Sequence, residues 1–263
     1  MIECVDQMGR EVKLLSPAKR IISIVPSQTE YLYDLGLKDE VIGITKFCIH
    51  PNDWFNSKER VGGTKNLDLD KIRSLHPDLI IGNKEENTKT DIEALEAIFP
   101  VYMSDVLSID SAYEMMLDLG TLIGKKEEAE LMVNQIRSDF LSFPAFDGDI
   151  LYFMWKKPYM VAGRDTFIGQ MINQLGFKNL YDDSNGRYRE IADDEISESN
   201  AKYCLLSTEP FPFNEEDVLE FEEKFGKKAI VVDGEMFSWY GSRMKLMKTY
   251  FEDLKARIYN NGL

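Results

Sequence analysis

Short apolar runs alternate with amphipathic stretches along this chain. Residues 20–25 form one such run, which predicts a buried strand. The residues after it predict a helix that Ser27 or Thr29 caps and that Gly36 ends, and residues 41–45 predict the next strand. Strands that alternate with helices are typical of parallel sheets, whose ligands gather at the carboxyl ends of the strands.

Residues 46–66 interrupt this alternation and predict a long irregular connection. Long loops inside compact domains are often functional. Trp54 lies among polar residues in this segment, so we expect it not to be fully buried. His50 lies in the same segment and could coordinate a metal directly, although a solvated histidine is the commoner outcome.

Residues 124–143 predict one long helix, because apolar residues recur there at spacings of three and four among charged ones. Its length is about 30 Å. Its apolar positions are Ala129, Met132, Ile136, Phe140 and Phe143. Because α/β patterns lie on both sides, we predict an N-terminal lobe over 1–123, a linking helix over 124–144 and a C-terminal lobe over 145–263.

The two halves repeat one plan. Asp70 lies in the run LDLDKI, which leads to the apolar strand DLII, and Asp194 lies in IADDEI, which leads to KYCL at the same spacing. A shared plan of this kind predicts paired lobes in which Asp70 and Asp194 occupy matching places. From the residues alone, each aspartate is explained as a favourable charge at a helix N-terminus.

The amino-acid composition argues against some classes of binding partner. The formal net charge of −15 over 263 residues argues against nucleic acid and anionic membranes, which require clustered Lys and Arg. Cys4, Cys48 and Cys204 are odd in number and far apart, so they indicate neither a disulfide framework nor a CxxC site. The N-terminus shows neither the basic start nor the apolar core of a secretory signal, which leaves the compartment open.

Five segments carry a family resemblance through their order and spacing. They are 20–30 (RIISIVPSQTE), 35–37 (LGL), 41–43 (VIG), 75–81 (LHPDLII) and 237–243 (FSWYGSR). Together they resemble the substrate-binding proteins of iron-siderophore, haem and cobalamin ABC transporters, most closely the vitamin B12 binders. The resemblance covers nearly the whole chain.

The resemblance implies an α/β fold in which two lobes with mainly parallel sheets are joined by a single long α-helix, with a ligand cleft between the lobes. It also implies a monomeric receptor that binds a cobalamin-like corrinoid or a ferric chelate and delivers it to an ABC permease. The implied location is periplasmic or at the cell surface, whereas the missing signal sequence keeps a cytoplasmic location open.

A large, partly flat ligand requires aromatic faces and a few hydrogen-bonding groups. The candidates in the first lobe are Pro26, Ser27, Gln28, Phe47, Trp54 and Lys65. The candidates in the second lobe are Trp155, Arg164, Tyr188, Trp239 and Arg243. In the resembling proteins one acidic residue on each lobe pairs with permease arginines, which points to Asp70 and Asp194.

Two alternatives to transport stay open. One is an intracellular corrinoid or metal-chelate carrier without a permease. The other is a two-lobed enzyme such as a chelatase, because fold alone does not decide function. The sequence contains no GxSxG, HExxH, P-loop or GxGxxG motif, so we expect no enzyme, no catalytic residue and no dedicated metal ligand.

Overall fold

A computed structural model describes residues 1–181 and 186–260 of the chain. The chain folds into two compact units. Unit 1 consists of Met1–Val106, Asp110–Arg137 and Tyr240–Arg243. Unit 2 consists of Leu107–Ile109, Ser138–Trp239 and Met244–Leu263. The lobe boundaries drawn from the sequence stay a prediction.

Unit 1 contains a parallel sheet and two small hairpins. Its strands are β1 (Ile2–Val5), β2 (Glu11–Leu14), β3 (Ile21–Ser23), β4 (Val41–Ile44), β5 (Glu59–Arg60), β6 (Gly62–Gly63), β7 (Asn66–Leu67), β8 (Leu79–Asn83) and β9 (Val101–Ser104). The sheet has the order β5-β4-β3-β8-β9, and every pairing in it is parallel. The hairpins pair β1 with β2 and β6 with β7.

The helices of the first half follow the strands in alternation, as the sequence predicts. They are α1 (Pro26–Asp34), α2 (Asn52–Ser57), α3 (Leu69–Leu75), α4 (Lys89–Glu96), α5 (Ile109–Leu122) and α6 (Lys126–Phe140). Helix and strand residues together form the core of unit 1, in which Ile22, Ile72 and Ile80 are fully buried. The strands read as continuous apolar runs because the sheet is covered on both faces.

The start of α1 differs from the prediction. The cap residue is Val25, and no side chain caps the helix, so the prediction of a Ser27 or Thr29 cap is wrong. Pro26 takes the first helical position, where its missing N–H costs no hydrogen bond. Thr29 instead donates its hydroxyl back to the Val25 carbonyl at 2.8 Å.

The predicted irregular connection over 46–66 contains the helix α2 and three short strands. Trp54 on α2 is only 4% exposed, so the expectation that it would not be buried is wrong. Its ring packs edge-on against Tyr33 of α1, with 5.3 Å between the ring centroids. This contact anchors α2, because a short helix gains most of its stability from tertiary packing.

Helix α6 is shorter than the predicted 124–143 and spans about 22 Å. Gly124, with φ at +71°, separates it from α5. The chain turns after Phe140, where the Phe143 ring packs against the Phe140 ring at a tilt of 36°, with 4.2 Å between the centroids. The boundary between the two units falls within α6, after Arg137.

Helices α5 and α6 pack closely at one point in unit 1. A Cβ on Gly120 of α5 would lie only 2.4 Å from the Cβ of Ala129 on α6. The buried stripe of α6 consists of Ala129, Val133, Ile136 and Phe140. Val133 thus takes the place predicted for Met132, which is only partly buried.

Unit 2 contains a mixed sheet. Its strands are β10 (Asp149–Trp155), β11 (Met160–Ala162), β12 (Lys178–Asn179), β13 (Tyr188–Glu190), β14 (Tyr203–Ser207) and β15 (Ala229–Val232). The order is β13-β11-β10-β14-β15, with β12 also paired to β10. Strands β10, β12, β14 and β15 run parallel, whereas β11 and β13 join antiparallel.

Five helices accompany this sheet in the described part of unit 2. They are α7 (Phe167–Gln174), α8 (Asp193–Glu198), α9 (Glu215–Phe225), α10 (Glu235–Ser238) and α11 (Met244–Asn260). Aromatic rings dominate the core beside α9, where Phe153 and Phe221 meet edge to face at 5.0 Å. Among the residues that the structure describes, no helix has both the length and the apolar composition needed to cross a membrane.

Candidate functional site

A buried polar cluster lies at the carboxyl end of the unit 1 sheet. Ser104, the last residue of β9, accepts hydrogen bonds at its Oγ from Asn83 Nδ2 at 3.0 Å and from Gln28 Nε2 at 2.5 Å. The hydroxyl of Tyr240 bonds to Ser104 and Ser27. We call these five residues the unit 1 polar cluster. This cluster contains Ser27 and Gln28, which were predicted as ligand contacts. In the structure both side chains hydrogen-bond to other residues of unit 1, and these bonds hold them in place.

The turn after β8 carries the acidic residues Glu85 and Glu86. Asn83 Oδ1 accepts from the backbone N–H groups of both, at 2.8 and 3.2 Å, so the turn is fixed by the strand end. Burial raises the pKa of Glu86, and the nearby Lys65 ammonium opposes that rise. Lys65 donates to the Glu85 carbonyl. The predicted ligand contact Lys65 therefore lies over this acidic turn.

Phe47 is one of the predicted contacts that the structure leaves open to solvent, with 51% of its surface exposed. Its ring lies against Gly63 of the β6–β7 hairpin, where a Cβ would be 3.2 Å from the ring. The Lys46 ammonium stands 5.1 Å from the ring centroid. A larger residue at position 63 would therefore displace this aromatic face.

Arg243 is held in a buried ion pair. Its Nε and Nη2 donate to Glu30 Oε2 and Oε1 at 2.8 and 2.6 Å. The two side chains are only 8% and 15% exposed. A bidentate pair of this kind is among the strongest charged contacts in proteins, so the geometry favours a structural role for Arg243. Pro26 begins the helix α1 that carries Glu30, and it is partly buried.

Trp155 and Phe211 form an aromatic pair at the carboxyl end of β10 in unit 2. Trp155 ends that strand and is 40% exposed, and its ring meets Phe211 edge to face at 5.8 Å. Phe211 lies in the connection between β14 and α9 and was not among the contacts predicted from the sequence.

Tyr188 and Arg164 lie elsewhere in unit 2, because β11 runs antiparallel to β10 and Tyr188 pairs with Ala162, the last residue of β11. Tyr188 on β13 is 37% exposed. Arg164 follows β11 and is exposed, and its Nε lies 3.8 Å from Asp165 Oδ1.

Trp239 follows α10 and is 9% exposed. Its indole N–H donates to the carboxyl group of Glu209, and Ser238 Oγ donates to Glu209 Oε1 at 2.5 Å. The pKa of Glu209 is raised to about 7, chiefly by burial and in part by the neighbouring carboxylates Glu235 and Asp233, while the hydrogen bonds from Ser238 and Trp239 oppose the rise. Glu209 was not among the residues predicted from the sequence, although it lies just beyond the apolar run of β14, where the ligands of parallel sheets gather.

The paired aspartates occupy equivalent positions. Asp70 is the second residue of α3, which leads into β8, and Asp194 is the second residue of α8, which leads into β14. The Asp70 side chain is 94% exposed and pairs with Arg73 at 2.8 Å. Asp194 is exposed and accepts from the Glu195 N–H at 3.0 Å. Both can meet a partner surface.

The described residues contain no group of three or more His, Cys, Asp and Glu side chains arranged to hold a metal ion. Cys48 and Cys204 are free and buried, and burial raises the pKa of both thiols. What the two units offer is therefore hydrogen-bonding groups and exposed aromatic faces, which suit a large organic ligand.

Residues 21–231 match the family described as Periplasmic binding protein. The chain belongs to the periplasmic binding protein family. One relative is the uncharacterized ABC transporter substrate-binding lipoprotein YvrC of Bacillus subtilis, which is 27% identical over 209 residues. That match covers 74% of this chain and 65% of the relative, so the chain spans less than two thirds of its length.

Two further proteins are similar to this chain. The vitamin B12-binding protein of Vibrio cholerae is 25% identical over 186 residues, which cover 68% of this chain and 67% of that protein. A solved structure of a possible iron-binding (periplasmic solute-binding) protein from Staphylococcus epidermidis superposes with a TM-score of 0.76 at 24% identity. It covers 93% of this chain and all of that one. The α/β fold class with mainly parallel sheets, expected from the sequence, is confirmed.

Proposed function

We propose that this periplasmic binding protein is the substrate-binding component of an ABC transporter, which binds a corrinoid or a ferric chelate and delivers it to a membrane permease. The observation that carries the proposal is the family match over residues 21–231, four fifths of the chain. Relatives named for vitamin B12 and iron support these ligand classes. The relatives are binding proteins, so we propose that the chain has no catalytic activity and works in the periplasm or at the cell surface.

The exposed aromatic residues are the ligand contacts that we propose. Trp155 and the partly buried Phe211 present an aromatic pair at the end of β10, and Tyr188 is a separate exposed ring on β13. Phe47 offers the corresponding face in unit 1. A flat chelate buries its apolar face against such rings, and each favourable ring contact contributes about 0.5–1.5 kcal/mol beyond its area.

Hydrogen-bonding groups for the edges of the ligand come from both units. In unit 1 we propose Gln28, whose buried Oε1 finds no hydrogen-bond partner among the described residues. A buried acceptor of this kind gains from a donor that a ligand or water supplies. Lys65 and Arg164 are exposed cations that can meet carboxylate edges. Trp54 and Arg243 we assign to the scaffold, because the first is packed against Tyr33 and the second is paired with Glu30.

The ligand proposal is tested by mixing the purified chain with cyanocobalamin, cobinamide, haem or a ferric siderophore and passing each mixture through a size-exclusion column. These ligands are coloured, so a bound ligand elutes with the protein. We expect one of the four to co-elute at equal stoichiometry. If none does so at micromolar concentrations, the proposal is wrong for all these ligand classes.

For permease docking we propose Asp70 and Asp194, because each is exposed at the same place in the repeated plan of the two units. Replacing both by Arg is expected to abolish stimulation of the permease and its ATPase in proteoliposomes, while ligand affinity stays unchanged. Glu127 and Glu216 are exposed acidic residues in the first turns of α6 and α9. The matched control replaces these two glutamates by Arg. Equal stimulation by both double variants would refute the docking assignment.

A further inference from the structure

Glu209 lies against Trp239 at the carboxyl end of β14. Ser238 Oγ and the Trp239 indole N–H both donate to its carboxyl group. Gly234 approaches the Glu209 side chain closely, because a Cβ there would lie 2.4 Å from Glu209 Cγ. The carboxyl group is therefore held in contact with the indole by neighbours that leave it little room to turn.

The groups around Glu209 are acidic or neutral. Glu235 at the start of α10 and Asp233 after β15 both act on it as like charges. Tyr152 of β10 lies close enough to feel the charge of Glu209, and its hydroxyl donates to Ser207 Oγ at 3.0 Å. On the α11 side, the Tyr250 hydroxyl accepts from the backbone N–H of Asp233 at 2.7 Å. None of these groups supplies positive charge, so the ionised form of Glu209 is stabilised mainly by the Ser238 and Trp239 donors.

We propose that Glu209 is a positioning residue for Trp239, a ligand contact predicted from the sequence. Its ionised carboxylate fixes the indole through the N–H hydrogen bond, and protonation of Glu209 loosens the indole and weakens ligand binding by unit 2. A hydrogen bond to a carboxylate is roughly twice as strong as one to a neutral acid. The statement about the indole stands on the structure of unit 2, whereas the effect on ligand binding rests on the proposed function.

The pKa of about 7 places this change near neutral pH. If the ionised form is the one that binds ligand well, the apparent affinity falls by up to about tenfold between pH 8 and pH 6. Glu235 and Asp233 keep the pKa high, so removing either negative charge moves the change to lower pH.

The test is the intrinsic fluorescence of the ligand-free protein, recorded from about pH 5 to about pH 9. The chain has three tryptophans, and the Trp239→Phe variant identifies the contribution of this one. We expect a single transition close to pH 7 in the wild type. Glu209→Gln and Trp239→Phe should each lack the transition, and Glu235→Gln should shift its midpoint to lower pH.

Three results would overturn the proposal: no transition in the wild type, a transition that persists in Glu209→Gln, or a midpoint in Glu235→Gln that stays or rises. Circular dichroism checks that each variant is folded. If Glu209→Gln does not fold, the midpoint of Glu235→Gln still decides, because that variant keeps Glu209.

The effect on binding is measured with cyanocobalamin, cobinamide, haem and a ferric siderophore at pH 6 and pH 8. For a ligand that binds, the dissociation constant of the wild type should be up to about tenfold higher at pH 6, and that of Glu209→Gln should not change. A wild-type constant that does not change refutes the binding half of the inference. Failure to bind any ligand counts against the proposed function, and the fluorescence result then decides the role of Glu209 alone.

Discussion

Replacing Arg243 by Ala removes one partner of a buried ion pair and leaves the Glu30 carboxylate without its counter-charge. Both Glu30 oxygens accept from the guanidinium, and the two side chains are 15% and 8% exposed. Breaking a buried pair by removing one partner costs about 3–5 kcal/mol, because the remaining charge stays desolvated. Glu30 retains some contact with solvent, so we expect a loss near the lower end, about 3 kcal/mol.

The assay is urea unfolding of the wild type, Arg243→Ala, Glu30→Ala and the double variant. The double variant should be more stable than the sum of the single losses predicts, with a coupling energy of about 2 kcal/mol. Arg243→Lys should recover only part of the loss, because an ammonium cannot make the bidentate contact.

The exposed pair of Asp70 and Arg73 is the matched control, since Asp70 is 94% exposed. Arg73→Ala should change the free energy of unfolding by no more than about 0.5 kcal/mol. Equal losses of stability in Arg243→Ala and Arg73→Ala, or no coupling between Glu30 and Arg243, would contradict this prediction. In that case Arg243 would return to the set of candidate ligand contacts.

Three other predictions concern packing, pH and ligand contact. Gly120→Ala should destabilise by about 1–3 kcal/mol despite the better helix propensity of Ala, and adding Ala129→Gly should restore most of the loss in urea unfolding. Because the pKa of Glu209 is raised in the folded state, its protonated form favours folding, and the free energy of unfolding falls as pH rises from about 4.5 to about 7. Glu209→Gln should therefore be more stable than the wild type by up to about 3 kcal/mol at pH 8 and equally stable at pH 4. Trp155→Ala should weaken ligand binding about tenfold, whereas Tyr259→Ala, on α11 and 46% exposed, should leave the calorimetric affinity unchanged.

The sequence was sufficient to predict the parallel sheets, because their strands are nearly continuous apolar runs with clear ends. Residues 20–25 illustrate this, since the strand β3 lies inside that run. The hairpin of β1 and β2 was equally predictable from the turn around Gly9. The burial of Trp54 could not be predicted in this way. It depends on Tyr33, a residue of another helix whose position no local pattern reveals.

The same limit applies to the candidate site. Arg243 and Glu30 lie at opposite ends of the sequence, so the ion pair that occupies Arg243 has no local signal. Phe211 and Glu209 were missed for a different reason. Both lie just beyond the buried strand β14, so the rule that ligands gather at the carboxyl ends of parallel strands selects them once β14 is recognised as such a strand.

The central claim is that this periplasmic binding protein is a receptor for a corrinoid or a ferric chelate. The most direct measurement is calorimetric titration of the purified protein with cyanocobalamin, cobinamide, haem and several ferric siderophores, with metal-free chelates as controls. The account predicts submicromolar binding at one to one for a single ligand class. Heats no larger than those of dilution across the whole panel would contradict it.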